Sequence, residues 1–371
     1  MFSTLNMISI LRKEYEIYVY PLASYGPVKN NYDRNILLSS DSFLNAVFTP
    51  GHLLGHKPKD IINKIIYRFF LLLHIPVIPI AYRRVATKLM RKYRFDFVAS
   101  CQEGDTTEFV SFFQDVKRIA WFRSEYSVYR KHHSAQYEQR LHEVYSRIDS
   151  IVCVSQTTRD DFVRWFPECD IKAIAIHNIQ NVEMISAKSN EPVSDPLDSQ
   201  IFSIVSIGRF SPQKRFSAIP ALASILREKG LAFKWYIIGD GNIEGEGDRL
   251  VEEQIKYNTS DVVFPIGARL NPYPYLASAN LFVITSSYEA CPRVVAESII
   301  LGKPVVSANF SSAPEFVHNG INGFVDELYR LPKHIMKLAS DKRLYNEMVN
   351  HCHSESIDVS GIYNKLKSLF N

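Results

Sequence analysis

The second half of the chain alternates apolar strands with helical patterns, and this alternation restricts the fold more than any other feature. An apolar run over residues 200–208 ends at Gly208, and a helical pattern over residues 216–230 follows it. Further apolar runs are FKWYIIGDG, VVFPIG, NLFVITSS, KPVVSA and GINGFVDE, and the first three of them end at Gly or Ser before the next helix. The pattern predicts a doubly wound parallel sheet that binds ligands at the carboxyl ends of its strands.

The first half repeats the alternation less regularly, with strands predicted at EIYVYPL, DFVASC, KRIAWFR, SIVCVS and IKAIAIHN. A chain of 371 residues, 46% of them hydrophobic, exceeds what one core usually organises, so we predict an α/β protein of two Rossmann-like domains. The predicted division is a first domain (1–178), a polar linker with two prolines (179–199), a second domain (200–352) and a C-terminal helix (353–371) returning to the first.

Composition argues against a disulfide framework and against a zinc site. The five cysteines are scattered and form no C-x-x-C pair, which fits a reducing cytoplasm. No metal ligation is expected at His351-Cys352-His353, because neighbouring helical residues point apart. The longest apolar run, residues 69–81, is too short to span a bilayer.

Two cations follow the first strand of the second half. Arg209 comes directly after Gly208, and Lys214 lies five residues further on. At the carboxyl end of a parallel strand these charges suit a diphosphate, although an ordinary solvated loop is an open alternative.

The glycines of FKWYIIGDG do not form a dinucleotide fingerprint. Gly239 and Gly241 satisfy the first part of G-x-G-x-x-G, but the third position is Glu244. We therefore expect a turn that lets another backbone or a ligand approach closely, and the pattern argues against a dehydrogenase.

The stretch SSYEACPRVVAES combines a helix start with two glutamates. If Pro292 is the first helical residue, the amides of Arg293 and Val294 are left to bind an anion at the positive end of the helix. Glu289 then precedes the helix, and Glu297 lies inside it, so both carboxylates can accept bonds from the hydroxyl groups of one ligand. A loop acid and an exposed helix acid remain the alternative.

The order of these motifs over residues 200–330 resembles the nucleotide-sugar-binding half of glycosyltransferases of family 4. These are retaining enzymes with the GT-B fold, two Rossmann-like domains with a cleft between them. IAWFRSEY, YSRIDSIVCVSQTTRDDF and AIHNIQN resemble the acceptor half of the same family more loosely.

The resemblance implies a role for each candidate residue. Glu297 would hold the ribose, and Glu289 would contact the donor sugar. Arg209 and Lys214 would hold the diphosphate without a metal. The base pocket would be lined by Arg269 and Leu270, and no cofactor is implied besides the nucleoside diphosphate sugar, which is the donor substrate.

Three features of the sequence depart from the family pattern. Ala290 stands where relatives usually have Gly, and Arg123 stands where they commonly have His on the acceptor side. The chain opens with a helical face formed by Phe2, Leu5, Ile8 and Leu11, which leads into EIYVYPL. The first strand and Gly-rich loop of relatives are therefore predicted to be absent. This leaves open an upstream start or a protein of low activity.

The predicted function is transfer of a sugar, with retention, from a nucleoside diphosphate sugar to a glycan or lipid-linked acceptor in surface polysaccharide biosynthesis. Two alternatives are a sugar-nucleotide-binding protein without activity and a nucleotide-sugar epimerase, which shares the GT-B fold. No acid and base pair typical of an epimerase stands out in the first half.

Positive charge is concentrated in the first half of the chain. Residues 1–180 contain 24 Lys or Arg against 18 Asp or Glu, whereas residues 181–371 contain 19 against 21. Residues 52–95 alone contain ten Lys or Arg and a single acid, interleaved with apolar residues. This predicts a cytoplasmic protein that docks peripherally on the anionic inner face of the cell membrane, with a solvated basic face as the alternative. No nucleic-acid-binding module accompanies the charge.

Overall fold

The computed structural model describes residues 2–23, 33, 35–49, 58–73, 75–193, 195–198, 200–354 and 358–370. The chain divides into two compact units. The first unit comprises Met1–Ile179 with Asn364–Asn371, and the second comprises Gln180–Tyr363.

The first unit contains a parallel four-stranded sheet whose strands follow one another in chain order. Its strands are β1 (Phe97–Ser100), β2 (Lys117–Phe122), β3 (Ser150–Cys153) and β4 (Ala173–Ala175). Its helices are α1 (Phe2–Leu11), α2 (Ser42–Phe48), α3 (Pro58–Leu72), α4 (Val77–Lys92), α5 (Asp105–Val110), α6 (Tyr126–Tyr129), α7 (Ala135–Ser146) and α8 (Gln156–Trp165).

The second unit contains a parallel six-stranded sheet. Its strands are β5 (Phe202–Ile207), β6 (Phe233–Ile238), β7 (Val263–Gly267), β8 (Leu281–Ile284), β9 (Val305–Ala308) and β10 (Gly323–Asp326). Its helices are α9 (Val182–Ser189), α10 (Ile219–Glu228), α11 (Glu246–Lys256), α12 (Tyr273–Ser278), α13 (Arg293–Ile300), α14 (Leu331–Ser340) and α15 (Lys342–Ser354). The following helix, α16 (Val359–Phe370), begins in the second unit and belongs to the first from Asn364 onward.

Apolar cores cover both faces of the six-stranded sheet. One core is formed with α10, α11, α14 and α15, and the other with α12 and α13. Together with the two parallel sheets, this confirms the predicted α/β class with doubly wound, Rossmann-like topology. Each of the six strands predicted from apolar runs in this half is present, as β5 to β10.

The predicted strand EIYVYPL is wrong. Among the residues that the structure describes, Val19 alone of this segment forms a β-bridge, an isolated one to Leu37. The alternation of apolar side chains serves ring packing instead, because Tyr18 contacts Tyr93 and Tyr20 stacks on Phe109. Tyr18 is 36% exposed and none of residues 16–22 is fully buried, so the pattern here reflects contacts between aromatic rings rather than a strand within a sheet.

The segment predicted to be a linker, residues 179–199, includes regular structure. It contains α9, whose first turn is capped by Asn181, with the Met184 amide donating to the Asn181 Oδ1 over 2.9 Å. Ile185 is fully buried, and the helix packs with the second unit against α12 and α13. Because α9 has eight residues and only one buried side chain, it leaves no apolar periodicity in the sequence.

The strand order defines where a ligand site can form. In the order β10-β9-β8-β5-β6-β7, β5 lies between β6 and β8. Successive strands are added on one side of β5 from β6 to β7 and on its other side from β8 to β10, so the direction of the connections reverses at β5. In open α/β sheets such a switch point leaves a crevice outside the carboxyl ends of the two strands on either side. The loops after β5 and β8 flank that crevice.

Candidate functional site

The loops after β5 and β8 are joined by hydrogen bonds. The Thr285 hydroxyl donates to the Lys214 carbonyl over 2.6 Å, and the Ser287 amide donates to the Gln213 carbonyl over 2.8 Å. The two segments, some seventy residues apart in the chain, therefore form one surface at the switch point.

Arg215, which was not predicted as a site residue, links the two loops of this surface. Its guanidinium donates to the carbonyls of Thr285 and Ser286, each over 2.7 Å. Burial lowers the pKa of Arg215, and its backbone has a left-handed φ of 51°. An arginine with unusual backbone geometry directly after a predicted ligand loop gives no signal in a single sequence, because φ is not visible there.

Lys214 and Glu289 meet in this crevice. The Lys214 Nζ donates to the Glu289 Oε1 over 2.5 Å, and the Ser286 hydroxyl donates to the same oxygen over 2.7 Å. The Lys214 chain lies across Gly208, where a Cβ would come within 2.9 Å of the Lys214 Cε. The structure thus brings together Gly208, Lys214 and Glu289, three of the residues predicted to form the site.

Arg209 lies on the same loop in a different environment. Its side chain is exposed and makes no hydrogen bond or ion pair with the part of the chain that the structure describes. Its charge is therefore available to a ligand, as the sequence analysis predicts, and the role of Arg209 stays a prediction.

Gly239 confirms the expected close approach. A Cβ at Gly239 would lie 1.8 Å from the Gly208 carbonyl oxygen, and φ at this position is 150°. The glycine after β6 therefore lets the backbone after β5 pass against it, so its function is to shape the site loop.

Helix α13 begins one residue later than predicted. Pro292 is the N-cap, and Arg293 is the first helical residue. No side chain caps this end of the helix, and the Val294 side chain packs on the core of the second unit. The shift occurs because a proline N-cap and a proline at the first position look alike in sequence, while the positive end of the helix dipole stays where it was predicted.

Glu297 lies in a buried cluster on α13. Its Oε1 accepts a hydrogen bond from the Tyr273 hydroxyl over 3.1 Å and forms an ion pair with the Arg293 Nε at 2.9 Å. Burial raises the pKa of Glu297, an effect that the Arg293 charge and the Tyr273 hydrogen bond oppose. Burial also raises the pKa of Tyr273, which keeps the phenol protonated as a donor. Tyr273, at the start of α12, was not predicted.

The two glutamates share one geometric property. In each, the internal contacts fall on Oε1, from Lys214 and Ser286 to Glu289 and from Tyr273 and Arg293 to Glu297. The Oε2 of each carboxylate accepts no hydrogen bond from the described residues. One oxygen therefore fixes the carboxylate, and the other can accept a hydroxyl group.

The predicted base-pocket residues have contrasting surroundings. The Arg269 Nε donates to the Tyr275 hydroxyl over 3.0 Å, and its Nη2 pairs with Asp195. Hydrogen bonds from Tyr275 and then Arg269 lower the pKa of Asp195. Leu270 is fully exposed. Asp195, in the segment predicted to be a linker, thus holds Arg269 in the loop after β7.

Polar side chains also gather at the carboxyl ends of strands in the first unit. The Arg123 guanidinium, after β2, donates to the Cys101 carbonyl over 2.6 Å and to the Asn178 Oδ1 over 2.7 Å. The Arg123 amide donates to the Glu103 carboxylate over 3.0 Å, and the Ser124 hydroxyl donates to that carboxylate too. Arg123 therefore ties together the segments that follow β1 and β4. Because a guanidinium has donors and no acceptor, Arg123 cannot accept a hydrogen bond as a neutral histidine at this position could.

No group of three or more His, Cys, Asp or Glu residues able to hold a metal ion occurs in the described residues. Likewise, none of the helices resolved between residues 2 and 370 is long and apolar enough to cross a bilayer.

Solved structures share the fold over nearly the whole chain. A glycosyltransferase from Rickettsia africae superposes with a TM-score of 0.73, covering 100% of this chain and 92% of that chain at 13% identity. The Anabaena protein HepE, solved in complex with UDP-glucose, has a TM-score of 0.71, with 99% and 94% covered at 16% identity. At these identities the likeness shows the fold alone.

Curated relatives are similar over part of their length. An uncharacterized glycosyltransferase of Methanocaldococcus jannaschii is 26% identical over 46% of this chain and 42% of its own. A poly(ribitol-phosphate) alpha-N-acetylglucosaminyltransferase of Staphylococcus aureus is 24% identical over 63% of this chain and 46% of its own. The matched region spans about half the length of these relatives. Residues 188–353, which lie entirely within the second unit and contain its site loops, match the family of glycosyl transferases group 1.

Proposed function

We propose that this protein is a glycosyltransferase that moves a hexose-type sugar from a nucleoside diphosphate sugar to a glycan or lipid-linked acceptor. The observation that carries the proposal is that Glu289 and Glu297 each use one carboxylate oxygen for internal contacts and keep the other for a ligand. Both lie at the switch point of a sheet whose sequence matches group 1 glycosyl transferases. Relatives named for lipopolysaccharide core, amylovoran and colanic acid biosynthesis support a role in surface polysaccharides.

In this proposal Glu297 holds the ribose through its Oε2. Its Oε1 is fixed by Tyr273 and Arg293, so the carboxylate enters the complex already oriented. Glu289 accepts a hydroxyl of the donor sugar in the same manner. Arg269 and Leu270 line the base pocket, where the ion pair with Asp195 holds Arg269 in place.

The diphosphate is held by Lys214, Arg209 and the amino end of α13. An ammonium has three donors and Glu289 takes one, so two remain for phosphate oxygens. As the sugar acquires oxocarbenium character, negative charge grows on the departing diphosphate. The cations and the helix amides then bind the transition state more tightly than the substrate. We propose that these groups serve without a metal ion and that the reaction retains the anomeric configuration.

Acceptor recognition is assigned to the first unit in this proposal. The polar cluster at Arg123, Glu103 and Asn178 supplies donors and acceptors suited to sugar hydroxyls at the carboxyl ends of strands. A lipid-linked acceptor is presented at a membrane surface, so peripheral attachment at the inner face of the cell membrane belongs to the same proposal.

The test is a panel of nucleoside diphosphate sugars, measured by thermal shift and by release of nucleoside diphosphate with a glycan acceptor. One donor should raise the melting temperature and be turned over, and NMR of the product should show the donor's anomeric configuration. Lys214→Ala is the control for turnover. Stabilisation without turnover would identify a sugar-nucleotide-binding protein, and interconversion of two donors would identify an epimerase.

A further inference from the structure

Helix α3 presents its apolar face outward. The side chains of Ile65, Phe69 and Leu72 are 61%, 57% and 78% exposed, and Ile61, Ile62 and Ile66 extend the same face toward the amino end. These positions recur at three and four residues, so they form one continuous stripe along the helix.

The half-buried side of α3 faces the protein and contains polar residues together with Tyr67 and Phe70. The Lys64 Nζ donates to the Thr49 carbonyl over 2.7 Å, and the Asn63 amide donates to the Ser42 carbonyl over 3.2 Å. The widest apolar stripe of the helix therefore points away from the protein, whereas a surface helix of a globular protein usually buries that stripe. A contiguous exposed apolar patch of this kind marks an interaction surface.

The next helix supplies positive charge. Helix α4 has ordinary amphipathicity, burying Tyr82 and Val85 while exposing Arg83, Lys88 and Arg91. Its exposed stripe begins at an apolar residue, Ile80, 61% exposed, close in sequence to the carboxyl end of α3. From Pro58 to Phe95 the chain has nine Lys or Arg and one acid, Asp60. The exposed apolar stripe of α3 and the exposed cations of α4 together match the chemistry of a lipid bilayer with an apolar interior and anionic headgroups.

We infer that α3 inserts its apolar face in the plane of an anionic lipid bilayer, with the exposed cations of α4 contacting the headgroups. A helix of 15 residues is about 22 Å long, shorter than the roughly 30 Å hydrocarbon core, so it lies in the interface. We assign a lipid surface rather than a second protein to this face because helices that lie in the membrane interface combine a broad apolar face with neighbouring Lys and Arg. The predicted docking region began at residue 52. Residues 52–57 lie outside the described ones, and the surface is assigned to α3 and α4.

The apolar face is tested by sedimentation of the full chain with vesicles of phosphatidylcholine, with and without phosphatidylglycerol. The assay contains no donor or acceptor, so its outcome is independent of the proposed transfer reaction. The combined variant Ile65→Ser, Phe69→Ser, Leu72→Ser should lower the partition coefficient at least tenfold with an unchanged melting temperature. The matched control, Ile171→Ser with Ile255→Ser, removes apolar side chains that are 97% and 73% exposed elsewhere, and should bind like the wild type.

The cations are tested in the same assay. Arg83→Gln, Lys88→Gln and Arg91→Gln together should weaken binding to phosphatidylglycerol vesicles about a hundredfold at low salt, at about fivefold per charge. The control variant Lys229→Gln, Lys333→Gln, Lys342→Gln has the same net charge but alters exposed residues of the second unit. Equal loss in both would show a non-specific charge effect and overturn the inference.

Two further results would overturn it. One is wild-type protein that sediments with neither type of vesicle. The other is wild-type dimerisation in light scattering that the triple serine variant abolishes while vesicle binding is unchanged, since the face would then be covered by a second copy of the chain.

Discussion

Glu289 and Glu297 are eight residues apart in the chain, yet the fold gives them different chemistry. Glu289 lies in a loop, and its charge is balanced by Lys214 from another loop, with a side chain 13% exposed. Glu297 lies in a helix, and its partner Arg293 is one turn away, with a side chain 4% exposed and a pKa raised by burial. The first is positioned by tertiary structure and the second largely by its own helix. The difference teaches that a repeated residue type within one motif does not imply one role.

Lys214→Ala should have the largest effect, because it removes the cation on the Glu289 side of this comparison. Turnover should fall roughly a hundred- to a thousandfold, the usual scale for deleting one preorganised donor to developing charge. The ion pair with Glu289 makes a structural cost of about 1–3 kcal/mol expected as well. From the sequence alone Lys214 is an exposed loop cation whose removal should leave folding unaffected. Steady-state kinetics beside thermal melting measures both quantities.

The control for that variant is Arg209→Ala. Because Arg209 is exposed and has no partner among the described residues, its removal should lower turnover while leaving the melting temperature unchanged. Full turnover in both variants would refute the diphosphate assignment. An unchanged melting temperature for Lys214→Ala would show that the ion pair between Lys214 and Glu289 does not stabilise the folded protein.

The two glutamates should separate in nucleotide binding. Glu297→Ala should weaken free nucleoside diphosphate and donor alike, by about ten- to a hundredfold, the range for hydrogen bonds to a charged group. Glu289→Ala should keep nucleotide affinity and reduce turnover, because its partner is the sugar. Calorimetry with free nucleotide decides the matter, and equal losses in both variants would abolish the division of roles.

Tyr273→Phe isolates the hydrogen bond that orients Glu297. The phenylalanine keeps the ring and removes only the hydroxyl donor to Oε1, so nucleotide affinity should fall several-fold, less than in Glu297→Ala. Tyr345→Phe is a matched control in the second unit, since that hydroxyl donates to the Asn280 carbonyl rather than to a residue assigned to the site. An affinity for Tyr273→Phe equal to that of the wild type would show that Arg293 alone orients the carboxylate.

The smallest expected effect is a pH dependence of stability that is specific to Glu297. Because the folded-state pKa of Glu297 is raised, the folded protein holds this proton more tightly than the unfolded chain. The free energy of unfolding of the wild type should therefore rise, relative to Glu297→Gln, as pH falls from the raised folded pKa to the ordinary glutamate pKa. Thermal melts of both proteins across this window measure the difference. A difference that is constant with pH, or one that favours Glu297→Gln increasingly at low pH, would contradict the raised pKa.

The degree of success of sequence-based prediction differed between the halves for a physical reason. In the second unit, strands buried on both faces are continuous apolar runs ending at glycine or a small polar residue, so β5 to β10 could be located before the structure. The segment 16–22 has a similar composition, but its tyrosines pack on Tyr93 and Phe109 and not in a ladder. Helix α9 was hidden because one buried residue gives no period.

The sequence by itself determined the α/β class, the carboxyl-edge placement of Gly208 and Lys214, and the helix that carries Glu297, because these follow from local periodicity and from glycine and proline chemistry. Only the tertiary structure decided that Lys214 pairs with Glu289, that Arg215 and Tyr273 support the site, and that α3 presents its apolar face outward. Each of these depends on which residues distant in the chain come into contact, and on which side of a helix the rest of the protein lies. Local sequence patterns contain neither kind of information.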